Sequence, residues 1–220
     1  MEKIKVLIAD DHAIVREGFK LLLDSDSEIE VVGEAEDGKV AIKQVKELNP
    51  DIVIMDVSMP ILNGIETTRQ IKKEFPKIKI IILSMYSDEE YIRSAIEVGA
   101  NGYVLKKSAS KEIFTAIHEI NMGRAYFSSI VSQSVLDGYR KLAESLGKKK
   151  GERKQVLTTR EREVLQLVAE GHSTPEISKL LSIDKRTVAN HRQHIMNKLD
   201  IHDVAGLTRY AMNSGIINDY

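Results

Sequence analysis

The 220-residue chain has no cysteine, which excludes disulfides and thiolate metal sites and fits a cytoplasmic protein. It has no apolar stretch long enough to span a bilayer, and Met1 to Lys5 leads straight into a short apolar strand without the layout of a signal peptide. No membrane association is expected. Nor is there a large excess of charge of either sign. With 42% hydrophobic and 30% charged residues and a net charge of −1, the composition is that of an ordinary soluble protein, and a disordered chain is excluded.

The small net charge conceals a division. Residues 1–146 carry 19 Lys and Arg against 24 Asp and Glu, whereas residues 147–220 carry 13 against 9 and hold four of the six histidines. An acidic front followed by a basic tail points to an anionic partner for the tail, with double-stranded DNA the leading candidate.

In the front part, strand-like runs alternate five times with helical patterns. The strands read Ile4 to Ala9, Glu30 to Val32, Ile52 to Met55, Ile78 to Ser84 and Gly102 to Leu105, and the helices start near Ala13, Gly38, Gly64, Asp88 and Ser110. Breakers fall at Gly33, Asn49-Pro50, Pro60, Pro76, Gly99 and Gly102. Five such units predict an α/β fold with a five-stranded parallel sheet, helices on both faces, and the flavodoxin-like order 2-1-3-4-5.

That topology gives the strand ends a meaning. Strand 1 ends in Asp10-Asp11, strand 3 in Asp56, strand 4 in Ser84 and strand 5 in Lys106, all on the one rim where open α/β sheets bind ligands. Three carboxylates held together repel one another unless a cation intervenes, and Mg²⁺ tolerates a site of carboxylates, a carbonyl and water. Lys106 adds a positive charge and Ser84 a hydroxyl, the equipment for phosphoryl transfer onto a carboxylate. Each of these residues alone reads as something simpler: an aspartate at a strand end caps the next turn. The coincidence at four strand ends carries the stronger reading. His12, beside the acidic pair, reads as a helix-entry residue and not as a metal ligand.

The motifs Ile8-Ala9-Asp10-Asp11-His12, Met55-Asp56-Val57-Ser58-Met59-Pro60 with Asn63-Gly64, Ile82-Leu83-Ser84, and Gly99 through Lys106 resemble the receiver domain of two-component response regulators. The resemblance implies that Asp56 accepts phosphate from a sensor histidine kinase. It implies that Asp11, Asp56 and the carbonyl of Ser58 hold Mg²⁺, with Asp10 acting through water. Ser84 takes the position of the switch hydroxyl and Tyr103 that of the switch aromatic. Where many receivers have proline after the lysine, this chain has Lys107.

Beyond this domain, assigned to residues 1–126, helical spacing from Ser128 to Leu146 reads as a connecting helix. The charged run from Gly147 to Gln155 reads as a flexible linker, so that residues 127–155 join two domains. From 156 to 220 four short helices are expected. Thr158 with Glu161 and Ser173 with Glu176 form capping boxes, and Asp184 and Asp203 cap a third and a fourth helix. Two short helices joined by a tight turn make a helix-turn-helix.

On the third helix Val188, Ile195 and Leu199 form the apolar stripe, and Arg186, Ala189, Asn190, Gln193 and Asn197 the outward one. Asn190 and Gln193 suit adenine edges in a major groove, while Lys185, Arg186 and Arg192 suit phosphates. The signature Leu157-Thr158, Arg160-Glu161, Glu163-Val164-Leu165, Gly171, Glu176-Ile177, Thr187-Val188, His191 and Lys198-Leu199 resembles the LuxR-type helix-turn-helix. With the front domain, it marks a regulator of the NarL/FixJ type. Thr187, Ala189 and His191 join the DNA-reading helix by this resemblance, although Ala189 stands where the family often carries Lys or Arg.

The expectation is a cytoplasmic transcription factor, phosphorylated on Asp56 with Mg²⁺, that pairs as a homodimer on DNA and acts on the transcription machinery. It is not expected to be a metabolic enzyme. The alternative is a DNA-binding regulator that ignores phosphate because its receiver is degenerate. A haloacid-dehalogenase-like phosphatase is disfavoured because Ser58 stands where a second acid would be needed, and an electron carrier because strand 1 has no glycine-rich phosphate cradle.

Overall fold

The run Ile52–Asp56 forms β3, the buried centre of a parallel sheet whose remaining strands are β1 (Ile4–Ala9), β2 (Ile29–Ala35), β4 (Lys79–Ser84), β5 (Gly102–Leu105) and β6 (Tyr126–Phe127). The strand order is β2-β1-β3-β4-β5-β6. The expected 2-1-3-4-5 arrangement is therefore present, with a two-residue strand added at the β5 edge. This computed structural model describes residues 3–133, 135–136 and 157–217. It separates into two units, residues 1–148 and 149–220.

Side-chain alternation along the strands divides the first unit's core into two layers. Leu7, Val53, Met55, Ile80, Ile82 and Tyr103 pack with apolar residues of α2 (Gly38–Leu48), α3 (Gly64–Glu74) and α4 (Glu89–Glu97). Val6, Ile8, Ile52, Ile54, Ile81 and Val104 pack with α1 (Ala13–Leu23) and α5 (Ala109–Asn121). Burial on both faces is why β3 is apolar without alternation.

Two sequence expectations are corrected. Gly33, read as a breaker, lies inside β2, where pairing shifts from Val6↔Val31 to Leu7↔Gly33 and leaves Val32 as an extra residue. A side chain at Gly33 would run into Gln44 and Leu48 of α2, so this glycine serves a bulge and a close helix approach rather than ending the strand. Strand β2 therefore extends beyond Glu30 to Val32. The sixth strand escaped notice because two residues make no hydrophobic run. Residues 129–133 and 135–136 are helical. The rest of the expected connecting helix, and the linker through Gln155, lie outside the described residues.

The second unit contains α6 (Thr159–Ala169), α7 (Thr174–Leu181), α8 (Lys185–Leu199) and α9 (Val204–Asn213). The expected caps are all in place. Thr158 N–H donates to Glu161 Oε2 at 2.7 Å, Ser173 N–H to Glu176 Oε2 at 2.8 Å, Arg186 N–H to Asp184 Oδ1 at 2.7 Å and Gly206 N–H to Asp203 Oδ1 at 2.7 Å. Pro175 lies in the first turn of α7, where its missing N–H costs no helical bond. Glu161 is buried and receives Lys198 Nζ at 2.7 Å, which ties α6 to the end of α8. Burial works to raise its carboxyl, but Lys198 and Thr158 outweigh this and hold it below the usual range.

Candidate functional site

Parallel pairing brings the carboxyl ends of β1, β3, β4 and β5 to one rim. Asp10 directly follows β1, Asp56 closes β3, Ser84 closes β4 and Lys106 directly follows β5. Asp10 and Asp56 are only 1% and 2% exposed. Lys106 Nζ lies 2.7 Å from Asp10 Oδ2 and 3.1 Å from Asp56 Oδ1, bridging residues 46 positions apart. Asp11 is more open, and the side chain of His12 places Nδ1 2.7 Å from Asp11 Oδ1 and 3.3 Å from Asp10 Oδ1. One donor atom from each of Asp10, Asp11, His12 and Asp56 falls within 4.8 Å of the others.

Burial is the first cause of an Asp56 carboxyl pushed up to about 6; the neighbouring Asp10 adds to it, while Lys106 and the Ser58 N–H oppose it. Lys106 answers in kind: burial pulls its ammonium down, but Asp56 and Asp10 outweigh this and hold it above the ordinary value. Asp56 Oδ2 is buried without a hydrogen bond of ordinary geometry. A buried, unsatisfied carboxylate oxygen among further carboxylates fits a hard divalent cation with oxygen ligands, and Mg²⁺ is one.

A raised carboxyl has a defined effect on stability. The folded-state value of about 6 lies above the ordinary 3.8, so Asp56 contributes stability that is full below 3.8 and lost as pH rises through about 6. In the absence of divalent cations, Asp56→Asn is therefore expected to be more stable than wild type at pH 7.5, by at most about 3 kcal/mol. The gain should vanish toward pH 4. Urea unfolding of both proteins at the two pH values measures it, and equal stability at pH 7.5 would contradict it.

The loop after β3 is held tightly. Gly64 N–H donates to Val57 O at 2.9 Å, and a side chain at Gly64 would collide with the Asp56 carbonyl, so only glycine lets α3 start against the end of β3. Gly64→Ala is expected to lower the unfolding free energy by about 1–3 kcal/mol through overpacking beside Asp56. Thermal unfolding at constant pH reads it directly. Ile61, in the same loop, sits at φ 70, an unfavourable conformation for a β-branched residue.

Ser84 Oγ accepts from Tyr86 N–H at 3.0 Å, and Tyr103 donates its hydroxyl to the Tyr86 carbonyl at 2.8 Å. Tyr103 is wholly buried. Burial is also the main reason its phenol is shifted upward. Ser58 is half-buried two residues beyond β3. The sequence reading missed Arg16, whose guanidinium donates to the Asp10 carbonyl at 2.7 Å and approaches Glu34 at 3.5 Å. Its place on α1, six residues past Asp10, carried no motif.

On α8 the expected division of faces holds. Val188 and Ile195 are buried and Leu199 packs partly against the same core, whereas Lys185, Arg186, Thr187, Ala189, Asn190 and Gln193 are exposed. His191 and Arg192 are half-buried, and Arg192 reaches Thr174 Oγ1 of α7 at 3.4 Å. Gln193 donates to Asn197 Oδ1 at 3.0 Å. Among the described residues no helix is long and apolar enough to cross a membrane.

Fold and site together define a receiver-type α/β domain on one chain with a helix-turn-helix domain. Residues 6–118 match the response regulator receiver domain, and residues 155–211 match the bacterial regulatory proteins of the luxR family. This chain belongs to the NarL/FixJ family of two-component response regulators. It is 36% identical to the transcriptional regulatory protein DegU of Brevibacillus brevis, covering 91% of this chain and 89% of the relative. It is also 36% identical to the oxygen regulatory protein NreC of Staphylococcus haemolyticus, covering 98% of this chain and 100% of the relative. Among solved structures it resembles the response regulator RcsB of Salmonella typhimurium, at 29% identity and a TM-score of 0.63 over 97% of this chain and 99% of that one. An RcsB–DNA complex matches at 29% identity and a TM-score of 0.60, with the same coverage.

Proposed function

We propose that Asp56 is the phosphoacceptor of a switch that controls DNA binding by α8. The observation that carries this reading is the Lys106 ammonium lying between Asp10 and Asp56 while Asp56 Oδ2 has no hydrogen bond. The donor is a phosphohistidine of a sensor histidine kinase. An Asp56 oxygen attacks phosphorus, the bond from phosphorus to the histidine nitrogen breaks, and an acyl phosphate forms. Asp10 (through water), Asp11, Asp56 and the Ser58 carbonyl would hold Mg²⁺, which when bound neutralises charge on the transferring phosphoryl oxygens. Lys106 steadies the new anion by direct ion pairing.

The added oxygens accept from the Ser84 hydroxyl and draw it toward Asp56, away from the Tyr86 N–H that donates to it, and movement of Ser84 disturbs the Tyr86 backbone that also holds the Tyr103 hydroxyl. The surface around α4 and β5 is thereby remodelled. Residues 1–126 act as receiver, 127–155 as connector and 156–220 as DNA-binding domain. DNA is held through Lys185, Arg186 and Arg192 to phosphates and read through Asn190 and Gln193, with Thr187, Ala189 and His191 on the same helix. Dimers on paired half-sites supply the avidity that one small domain lacks. The protein works in the cytoplasm as a regulator of the transcription machinery, not as a metabolic enzyme.

Incubation with Mg²⁺ and a small-molecule phosphodonor tests this reading through intact mass and sedimentation. The expected outcome is one phosphoryl group per chain and a shift from monomer to dimer. No uptake by wild type would contradict it.

A further inference from the structure

We propose that Arg16 is a positioning residue of the strand-end site: its guanidinium, braced by Glu34 and Lys20, fixes the peptide between Asp10 and Asp11 and so sets where Asp11 stands. The proposal rests on the reading that Asp10, Asp11 and Asp56 hold Mg²⁺. The role needs no contact between Arg16 and the cation or the phosphoryl group.

The backbone shows what has to be fixed. Pairing of β1 ends at Ala9, which faces Ala35 of β2 and Met55 of β3. The Asp10 N–H still donates to the Ala35 carbonyl at 3.0 Å, but the Asp10 carbonyl lies past the ladder, where the chain turns toward α1. That carbonyl belongs to the planar peptide joining Asp10 to Asp11, so its direction decides where the nitrogen and Cα of Asp11 go. Arg16 Nη1 donates to it at 2.7 Å. The Asp10 carboxylate has tethers of its own, to Lys106 at 2.7 Å and to the His12 N–H at 3.0 Å. Asp11 is held less firmly: its side chain is 30% exposed and pairs with the exposed ring of His12. Its place therefore depends on the peptide that Arg16 holds.

The guanidinium is itself anchored. Arg16 is 16% exposed, its Nε approaches Glu34 Oε2 at 3.5 Å, and Lys20, one turn further along α1, reaches Glu34 Oε1 at 3.0 Å. Helix energetics do not explain the residue. Arg16 ends the first turn of α1, where the macrodipole disfavours a cation and no acidic residue of that turn offsets it. Arginine suits the position because its planar fork faces a carbonyl and a carboxylate at once, which the point charge of lysine does not.

Charge and position predict opposite signs. Removing a cation near the acidic rim would by charge alone tighten Mg²⁺ binding, whereas losing a positioning contact weakens it. The test is calorimetric titration of Mg²⁺ into the full chain after chelator treatment, without phosphodonor, for wild type, Arg16→Met, Arg16→Lys and Asp11→Asn. Urea unfolding of each without Mg²⁺ reads stability separately. Arg16→Met is expected to bind Mg²⁺ about tenfold more weakly than wild type, and Arg16→Lys about threefold more weakly. With phosphodonor added, the Mg²⁺ concentration for half-maximal uptake should rise about tenfold in Arg16→Met, while the rate at saturating Mg²⁺ stays within about threefold of wild type. If Arg16→Met is less stable but binds Mg²⁺ as tightly as wild type or more tightly, Arg16 is only a staple between α1 and β2 and the proposal is overturned. Should Arg16→Met not fold, wild-type Mg²⁺ affinity in Arg16→Lys overturns it equally. If Asp11→Asn leaves Mg²⁺ binding unchanged, the cation site itself fails and the proposal with it.

Discussion

Asp56→Asn is expected to take up no phosphoryl group from a small-molecule donor under conditions that label wild type. The amide that replaces the carboxylate is not a nucleophile, and among the described residues no other carboxylate of the rim is placed to substitute for it. Asp10 is tied to Lys106 at 2.7 Å and to the His12 N–H at 3.0 Å, and Asp11 stands toward solvent against His12. Incorporation should fall by at least about a thousandfold. Unfolding does not account for such a loss, because Asn has nearly the same shape and the buried carboxylate it replaces is itself costly to ionise. Intact mass with and without donor, read beside the unfolding curve, separates chemistry from stability. Label retained by a folded Asp56→Asn protein would move the acceptor elsewhere.

Asn190→Ala combined with Gln193→Ala is expected to erase most sequence discrimination by α8 while leaving the domain folded. Both residues are exposed, and neither belongs to the apolar cluster built on Val164, Leu167, Ile177, Val188, Ile195 and Leu207. A good bidentate pairing with a base contributes about 1–3 kcal/mol of discrimination, so the double substitution should lower specific affinity by roughly thirtyfold or more. Binding to unrelated DNA should hardly change. Replacing Lys185 or Arg186 should do the reverse, weakening all sequences alike and lowering the salt slope by about one for each phosphate that is no longer neutralised. Fluorescence anisotropy at several salt concentrations distinguishes the two patterns. In the free domain Gln193 gives one of its two amide hydrogens to Asn197, which leaves the other hydrogen and Oε1 for a base.

How far the molecule could be read from its sequence depended on the range of the forces involved. The helix starts at Thr159, Thr174, Lys185 and Val204 were legible because capping is a local interaction between residues two or three apart. The meeting of Asp10, Asp56 and Lys106 was legible for a different reason: strand order and polarity put all strand ends on one rim whatever the side chains do. Gly33 misled because its role depends on Gln44 and Leu48 of a helix packed across it. β6 has only two residues and pairs with β5 through Gly102 and Tyr103, a pairing that no pattern of its own announces.

The finer features of the site lay further out of reach. Nothing in the spacing of Arg16 says that its guanidinium will reach back to the Asp10 carbonyl. His12 was read as a helix-entry residue, which it is, but the direction of its ring toward Asp11 follows from its rotamer. Tyr103 was recognised by position, while its complete burial and its bond to Tyr86 depend on how α4 and the loop before it pack.

The central claim, that Asp56 is the input and α8 the output of one switch, is tested most directly by DNA affinity measured on a single operator fragment before and after phosphorylation of the same preparation. Full switching from mostly off to mostly on corresponds to roughly 5 kcal/mol, and even a partial switch should tighten binding by about tenfold or more. Wild type should show that gain and Asp56→Asn should show none. Equal affinity of the phosphorylated and unphosphorylated protein would contradict the account and leave a DNA-binding protein whose receiver does not control it.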